Sequence, residues 1–157
     1  MVLDNEEGWP HINVDDNALA LIQEGLRGVV RLPNGTAHAL DSRSVPAAVM
    51  GKTGTTNNFR DALFVGSTYG PDGITVVVRI GFDDNRSLGQ QETGGRVALP
   101  VFQEIMLKAY SGQLVGSVPE FPLDIERSIT IYLNPGLGRD RLQLGSRVRD
   151  SADNIRK

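Results

Sequence analysis

Three runs of strand-forming residues, at 49–55, 62–69 and 74–80, follow one another with only short connections between them. The first reads Val49-Met50-Gly51-Lys52-Thr53-Gly54-Thr55, the second extends from Ala62 to Tyr69 through Phe64 and Val65, and the third contains Val76-Val77-Val78. Their linkers carry turn residues, Asn57-Asn58 and Pro71-Asp72-Gly73. A parallel crossover needs a dozen or more residues, so connections this short force neighbouring strands to run antiparallel. The chain is thereby committed to a three-strand meander.

Helical periodicity brackets the meander. Ala18, Leu21, Ile22, Gly25, Leu26, Val29 and Val30 follow the i, i+3, i+4, i+7 spacing of an amphipathic helix over about Asp16 to Arg31. Asp15, Asp16 and Asn17 supply cap candidates, and Arg27 and Arg31 sit where the helix dipole favours cations. Leu32-Pro33-Asn34-Gly35 ends this helix, and residues 36–45 read as polar and irregular. Beyond a polar loop at 83–95, Ala98, Val101, Phe102, Ile105, Met106 and Ala109 predict a second helix from about Arg96 to Tyr110, with Pro100 tolerable only in its first turn. The expected class is α+β, an antiparallel sheet flanked by two amphipathic helices whose apolar faces cover it. A chain of 157 residues suffices for one sizeable core. Residues 1–14 read as a strand-turn remnant, residues 15–110 as the main unit, and residues 111–157 as an extension. That extension holds one strand, Ile129 to Leu133, and loose backbone after about Pro135.

Composition removes several functions. Sixteen Lys and Arg against nineteen Asp and Glu give a net charge of −3, which leaves no basic footprint for nucleic acid. The absence of cysteine excludes a disulfide scaffold, a Cys-ligated metal and a thiol nucleophile. No apolar stretch reaches the roughly 18 residues of a membrane span, and Asp4, Glu6 and Glu7 follow Met1 in place of a basic leader. Any anchor or export signal is expected outside this sequence. Asp83-Asp84-Asn85 lacks a further convergent ligand set and reads as a solvated loop, so neither metal nor cofactor is expected. His11 and His38 read as surface residues, Glu92 and Arg96 as capping and local pairing groups, and Trp9, Phe102 and Met106 as core or surface anchors.

The chemistry concentrates at Lys52-Thr53-Gly54-Thr55, the end of the first strand run. Gly51-Lys52-Thr53 matches the close of a phosphate-binding loop, but Pro46 occupies the place of its first glycine, strand-like residues fill the turn, and no helix follows. Threonine also favours strands on its own account. The wider sequence is more specific. Lys52 to Gly66, Val78-Arg79-Ile80-Gly81-Phe82-Asp83-Asp84-Asn85-Arg86-Ser87-Leu88-Gly89 and Thr93-Gly94-Gly95-Arg96-Val97-Ala98-Leu99-Pro100-Val101-Phe102 resemble the C-terminal part of the transpeptidase domain of class A penicillin-binding proteins. The helix Ala18 to Val30 and Gly35-Thr36-Ala37 are similar to the segment before this motif, so the resemblance covers about residues 15–110.

The resemblance implies a penicillin-binding, serine β-lactamase-like fold and a D,D-transpeptidase that cross-links peptidoglycan stem peptides through a serine acyl-enzyme. Its partners would be a stem peptide or a β-lactam, and its place the extracytoplasmic face of the bacterial cytoplasmic membrane. It assigns Lys52, Thr53, Gly54 and Thr55 to substrate binding, with the backbone N–H of Thr55 as one oxyanion donor. On an extended strand Thr53 and Thr55 project to one face, where their hydroxyls are placed to hold a carboxylate, with the charge of Lys52 nearby. Gly54 leaves room for a substrate backbone alongside. Two departures stand out: the family commonly carries Trp at the position of Leu63 and an aromatic residue at that of Arg79.

The family also needs a serine on an S-x-x-K turn and an S-x-N segment. None of the nine serines, at 42, 44, 67, 87, 111, 117, 128, 146 and 151, has Lys at i+3 or Asn at i+2. The expectation is therefore a C-terminal piece of a longer enzyme that does not acylate by itself. The alternative is a non-catalytic remnant that binds a peptide or a partner protein.

Overall fold

The computed structural model of the chain describes residues 13–41, 45–70, 73–119 and 122–133. Helix α1 spans Asp16–Arg31, within the bounds expected from periodicity. The Asp15 carboxylate accepts the Ala18 N–H at 3.0 Å, satisfying one of the N-terminal donors that a helix leaves open. At the other end Leu32 turns extended, as a residue before proline must, and its N–H still reaches the Gly28 carbonyl. The chain then folds back on the helix end, with Gly35 N–H on Leu32 O at 2.8 Å and Ala37 N–H on Val29 O at 3.1 Å. A 3-10 turn at His38–Leu40 interrupts the segment expected to be irregular. His38 is half-buried, its Nδ1 lying 3.2 Å from the Val30 carbonyl oxygen, where a surface residue was expected.

Strands β1, Met50–Thr55, β2, Asp61–Ser67, and β3, Thr75–Gly81, form an antiparallel sheet in the order β1-β2-β3, the meander that the short connections require. Thr53 stands opposite Phe64, and Phe64 opposite Val78, so these three side chains share one face. The hairpin between β1 and β2 passes through Asn58 and Phe59 at φ of 60° and 53°. Asn tolerates that region readily and Phe does not, and the loop beyond β3 braces the strained turn. Ser87 Oγ donates to Asn58 O and Leu88 N–H to Phe59 O, both at 2.8 Å.

The second expected helix begins earlier than its periodicity suggested. A wide π-type turn covers Gly94–Ala98 and runs directly into α2, Leu99–Ser111. Pro100 has no N–H to give the Arg96 carbonyl, so regular α-helical bonding cannot continue back through the turn. Leu99 N–H bonds to Gly94 O instead. Both helices cover the sheet, as expected. Phe64, Phe102, Met106, Val30, Val49 and Val78 are buried together in one core, with the Phe64 and Phe102 rings edge to face at 4.7 Å.

The strand expected at 129–133 is a correction: residues Leu123–Leu133 form a third helix, α3. β-branched residues at 125, 129, 130 and 131 gave the strand signal. Spacing by four decides otherwise, because Ile125 and Ile129 then fall on one side and pack with Ala48 and Tyr69 in a second, smaller core. Arg27, expected only to complement the dipole of α1, is buried and ties the new helix down. Its Nε donates to Glu126 Oε1 at 2.6 Å and its Nη1 to Val49 O at 2.8 Å. Trp9, His11, nearly all of the N-terminal remnant and the tail beyond Pro135 lie outside the described residues.

Candidate functional site

Lys52, Thr53, Gly54 and Thr55 all lie on β1, which is an edge strand of the sheet. The phase of the β1–β2 ladder fixes which backbone groups face outward. Thr56 N–H bonds to Asp61 O at 3.0 Å, so Thr56 is a hydrogen-bonded position and Gly54, two residues back, is another. Thr53 and Thr55 fall between them and turn their N–H and C=O groups to the open edge. Lys52 follows the same geometry: its exposed Nζ donates to the outward carbonyl of Thr53 at 2.8 Å.

The side chains of Thr53 and Thr55 project to the face that α2 covers, at its rim. Thr53 is half-buried and Thr55 exposed. Each hydroxyl is held by a different segment. The Thr55 Oγ1 accepts the Gly94 N–H at 3.1 Å, and the Thr53 Oγ1 lies 2.8 Å from the Thr36 Oγ1. A hydroxyl carries one donor and two acceptor sites. Because Gly94 occupies an acceptor site on Thr55, the Thr55 O–H is left to donate. In the Thr36–Thr53 pair one proton lies between the oxygens and the other is left over. The rim thus offers two O–H donors and an ammonium, the combination that suits a carboxylate.

Gly94 reaches this position only because it has no side chain. A Cβ there would collide with the Leu63 carbonyl oxygen and stand 2.5 Å from the Gly54 carbonyl oxygen. The π-type turn is therefore seated on the β1–β2 ladder itself. Beside β1 a groove of about 470 Å³ opens toward α1, with Lys52, Thr36, Asn34 and Glu24 along it and Gly25 and Gly28 on the helix side. The four candidate residues thus lie together on one strand, with a groove adjoining it at Lys52.

Two contributors lie in segments that carry the family resemblance but are not assigned to the site from the sequence. Thr36 and Gly94 lie 17 and 39 positions from their β1 partners, and neither hydrogen bond follows from spacing. Of the remaining candidates, Arg96 and Asp84 have local partners, and the turn at Gly94–Ala98 has no side-chain cap where Glu92 and Arg96 were expected to provide capping. Arg96 Nη1 donates to Gln91 Oε1 at 3.4 Å. In the Asp83-Asp84-Asn85 loop, Asp84 pairs with Arg86, whose guanidinium sits 3.8 Å over the Phe82 ring. Leu63 and Arg79, the two departures from the family's aromatic positions, stand opposite each other on β2 and β3, on the face turned away from α2. There Arg79 is largely exposed and Nη2 meets Asp61 Oδ1 at 2.6 Å.

Residues 4–107 match the family model of the penicillin binding protein transpeptidase domain. Penicillin-binding protein 1A of Neisseria cinerea is 37% identical over 99 residues, covering 63% of this chain and 12% of that protein. Penicillin-binding protein 1A of Rickettsia bellii is 34% identical over 106 residues, covering 68% and 12%. The crystal structure of penicillin-binding protein 1A from Haemophilus influenzae is similar at 30% identity and a TM-score of 0.49, over 65% of this chain and 16% of that one. The chain spans about 12% of the length of these curated relatives.

Proposed function

The chain belongs to the penicillin-binding protein transpeptidase family, and on that premise we propose that β1 is the wall of a D,D-transpeptidase site that grips the terminal carboxylate of a peptidoglycan stem peptide, or the corresponding carboxylate of a β-lactam. The observation that carries the proposal is the pair of threonine hydroxyls on one face of an edge strand. Their acceptor sites are partly filled from within the protein, which leaves O–H donors beside Lys52. Charge-assisted hydrogen bonds to a carboxylate are about twice as strong as neutral ones, and donors fixed beforehand lose little freedom on binding.

The substrate backbone lies along β1, where Gly54 presents no side chain and the outward N–H and C=O groups of Thr53 and Thr55 accept strand addition. The Thr55 N–H serves the oxyanion of the tetrahedral intermediate, a donor of a kind worth about 3–4 kcal/mol in the transition state. The acylating serine is not among this chain's residues, since no serine stands in an S-x-x-K or S-x-N setting. The chain thus supplies the carboxylate wall and half of the oxyanion hole of a cross-linking enzyme at the extracytoplasmic face of the membrane. Among the described residues no helix is long and apolar enough to cross a bilayer.

The test is a titration of the purified chain, followed by amide chemical shifts, with an acyl-D-alanyl-D-alanine peptide and with the same peptide as its C-terminal amide. Preferential binding of the free carboxylate, with the shifts centred on 52–55, supports the reading; equal binding of the two overturns it. Fluorescent penicillin is expected to give no covalent adduct by intact mass, and a stoichiometric adduct would overturn the absence of a nucleophile. A second reading, a non-catalytic module that binds a peptide or partner along the open edge of β1, is favoured by that edge alone and predicts binding indifferent to the terminal carboxylate.

A further inference from the structure

We propose that Thr36 is a positioning residue of the carboxylate site, acting through the Thr53 hydroxyl. This rests on the reading of β1 as the carboxylate wall and extends the site to a segment that spacing does not connect with it. The two oxygens are 2.8 Å apart, so the hydrogen bond with Thr36 favours the one Thr53 rotamer that makes it. An isolated threonine on an edge strand samples several side-chain rotamers, and a ligand must then pay to select one.

Thr36 is itself held from both sides. On one side the loop is tied to the end of α1 by Gly35 N–H on Leu32 O and Ala37 N–H on Val29 O, while Ala37 is fully buried. On the other, a Cβ added to Gly95 would stand 2.7 Å from the Thr36 carbonyl oxygen, so the loop after α1 presses against the turn that grips Thr55. The loop that carries Thr36 and the turn that carries Gly94 therefore lie against each other at Gly95. Thr36 also lines the groove beside Lys52.

The experiment compares wild type with Thr36→Val, which keeps the shape and removes the hydroxyl, and with Thr36→Ser, which restores it. Each is titrated with the D-alanyl-D-alanine acid and its amide. The ratio of the two affinities is expected to fall about fivefold in Thr36→Val, the size of one neutral hydrogen bond, and to recover in Thr36→Ser. In the cycle with Thr53→Val, the double variant is expected to match Thr53→Val alone, because Thr36 acts only through that hydroxyl. A wild type that does not distinguish acid from amide overturns the reading of β1 and this inference with it. A wild type that distinguishes them while Thr36→Val keeps the full ratio, or an additive cycle, overturns the role of Thr36 alone. If Thr36→Val does not fold, failure of Thr36→Ser to retain the wild-type ratio overturns it as well.

Discussion

Arg27 and Glu126 meet across 99 positions of the chain, Nε to Oε1 at 2.6 Å, with the guanidinium side chain only 2% exposed and the carboxylate 22%. The contact fastens α3 to α1. Because Arg27 Nη1 also holds the Val49 carbonyl, it steadies the residue immediately before β1.

Removing one member of a buried pair strands the other's charge, which typically costs about 3–5 kcal/mol, and the partial exposure of Glu126 places this pair at the lower end. Glu126→Leu is expected to lower the urea unfolding free energy by about 3 kcal/mol. The double variant Arg27→Met/Glu126→Leu is expected to be more stable than Glu126→Leu, since the buried guanidinium is then removed together with its carboxylate. Denaturant titrations of both variants check the order.

Gly94→Ala drives a methyl group into the backbone of Gly54 and Leu63. Overpacking against backbone has little room to relax, so a loss of about 3 kcal/mol is expected. The Gly94 to Thr55 hydrogen bond is expected to lengthen with it. Thermal unfolding reads the first effect, and preference for the acid over the amide of a D-alanyl-D-alanine peptide reads the second.

Phe102 is fully buried, with its ring edge to face against Phe64 at an interplanar angle of 70°. Phe102→Ala is expected to cost about 3–5 kcal/mol, from the lost burial of the ring together with the cavity left behind. A double-mutant cycle with Phe64→Leu and Phe102→Leu should return a coupling of about 0.5–1.5 kcal/mol for the aromatic pair, measured by chemical denaturation.

Tyr69 is buried in the smaller core, and its hydroxyl has no hydrogen-bond partner among the described residues. Burial pushes its pKa from 10.0 up to about 12; Arg27 opposes the shift and Glu126 adds to it. Between those values the folded chain keeps a proton that the unfolded chain releases. The associated stability is therefore fully present below pH 10 and falls as the pH rises toward 12. Tyr69→Phe is expected to remove that alkaline component and to be no less stable at pH 7, because it deletes an unsatisfied polar group. Unfolding of both proteins from pH 8 to 11.5 checks the difference.

The meander, α1 and the placement of Lys52 to Thr55 on a strand were legible because each rests on local information, namely short connections, a period of 3.6 and β-branched runs. Helix α3 was not. Its apolar spacing at Ile125 and Ile129 competes with β-branched residues at 129–131, and only the docking surface offered by Ala48 and Tyr69 decides between them. Arg27 misled for a related reason: near a helix end it looks like a partner for the dipole, whereas its carboxylate lies a hundred residues away in a helix that the family match at 4–107 does not reach. Thr36 and Gly94 fall within segments that carry the family resemblance, but their contacts with β1 were not legible, because a hydroxyl pair and a backbone donor leave no periodic trace.

The turn that holds the Thr55 hydroxyl continues without a break into α2, and α2 rests on the sheet through Phe102. Grip and keystone are one lever. Warming that loosens the aromatic contact should blur ligand discrimination some degrees before the chain melts, and a binder clasped at the rim should in turn quiet the motion of two rings it never touches.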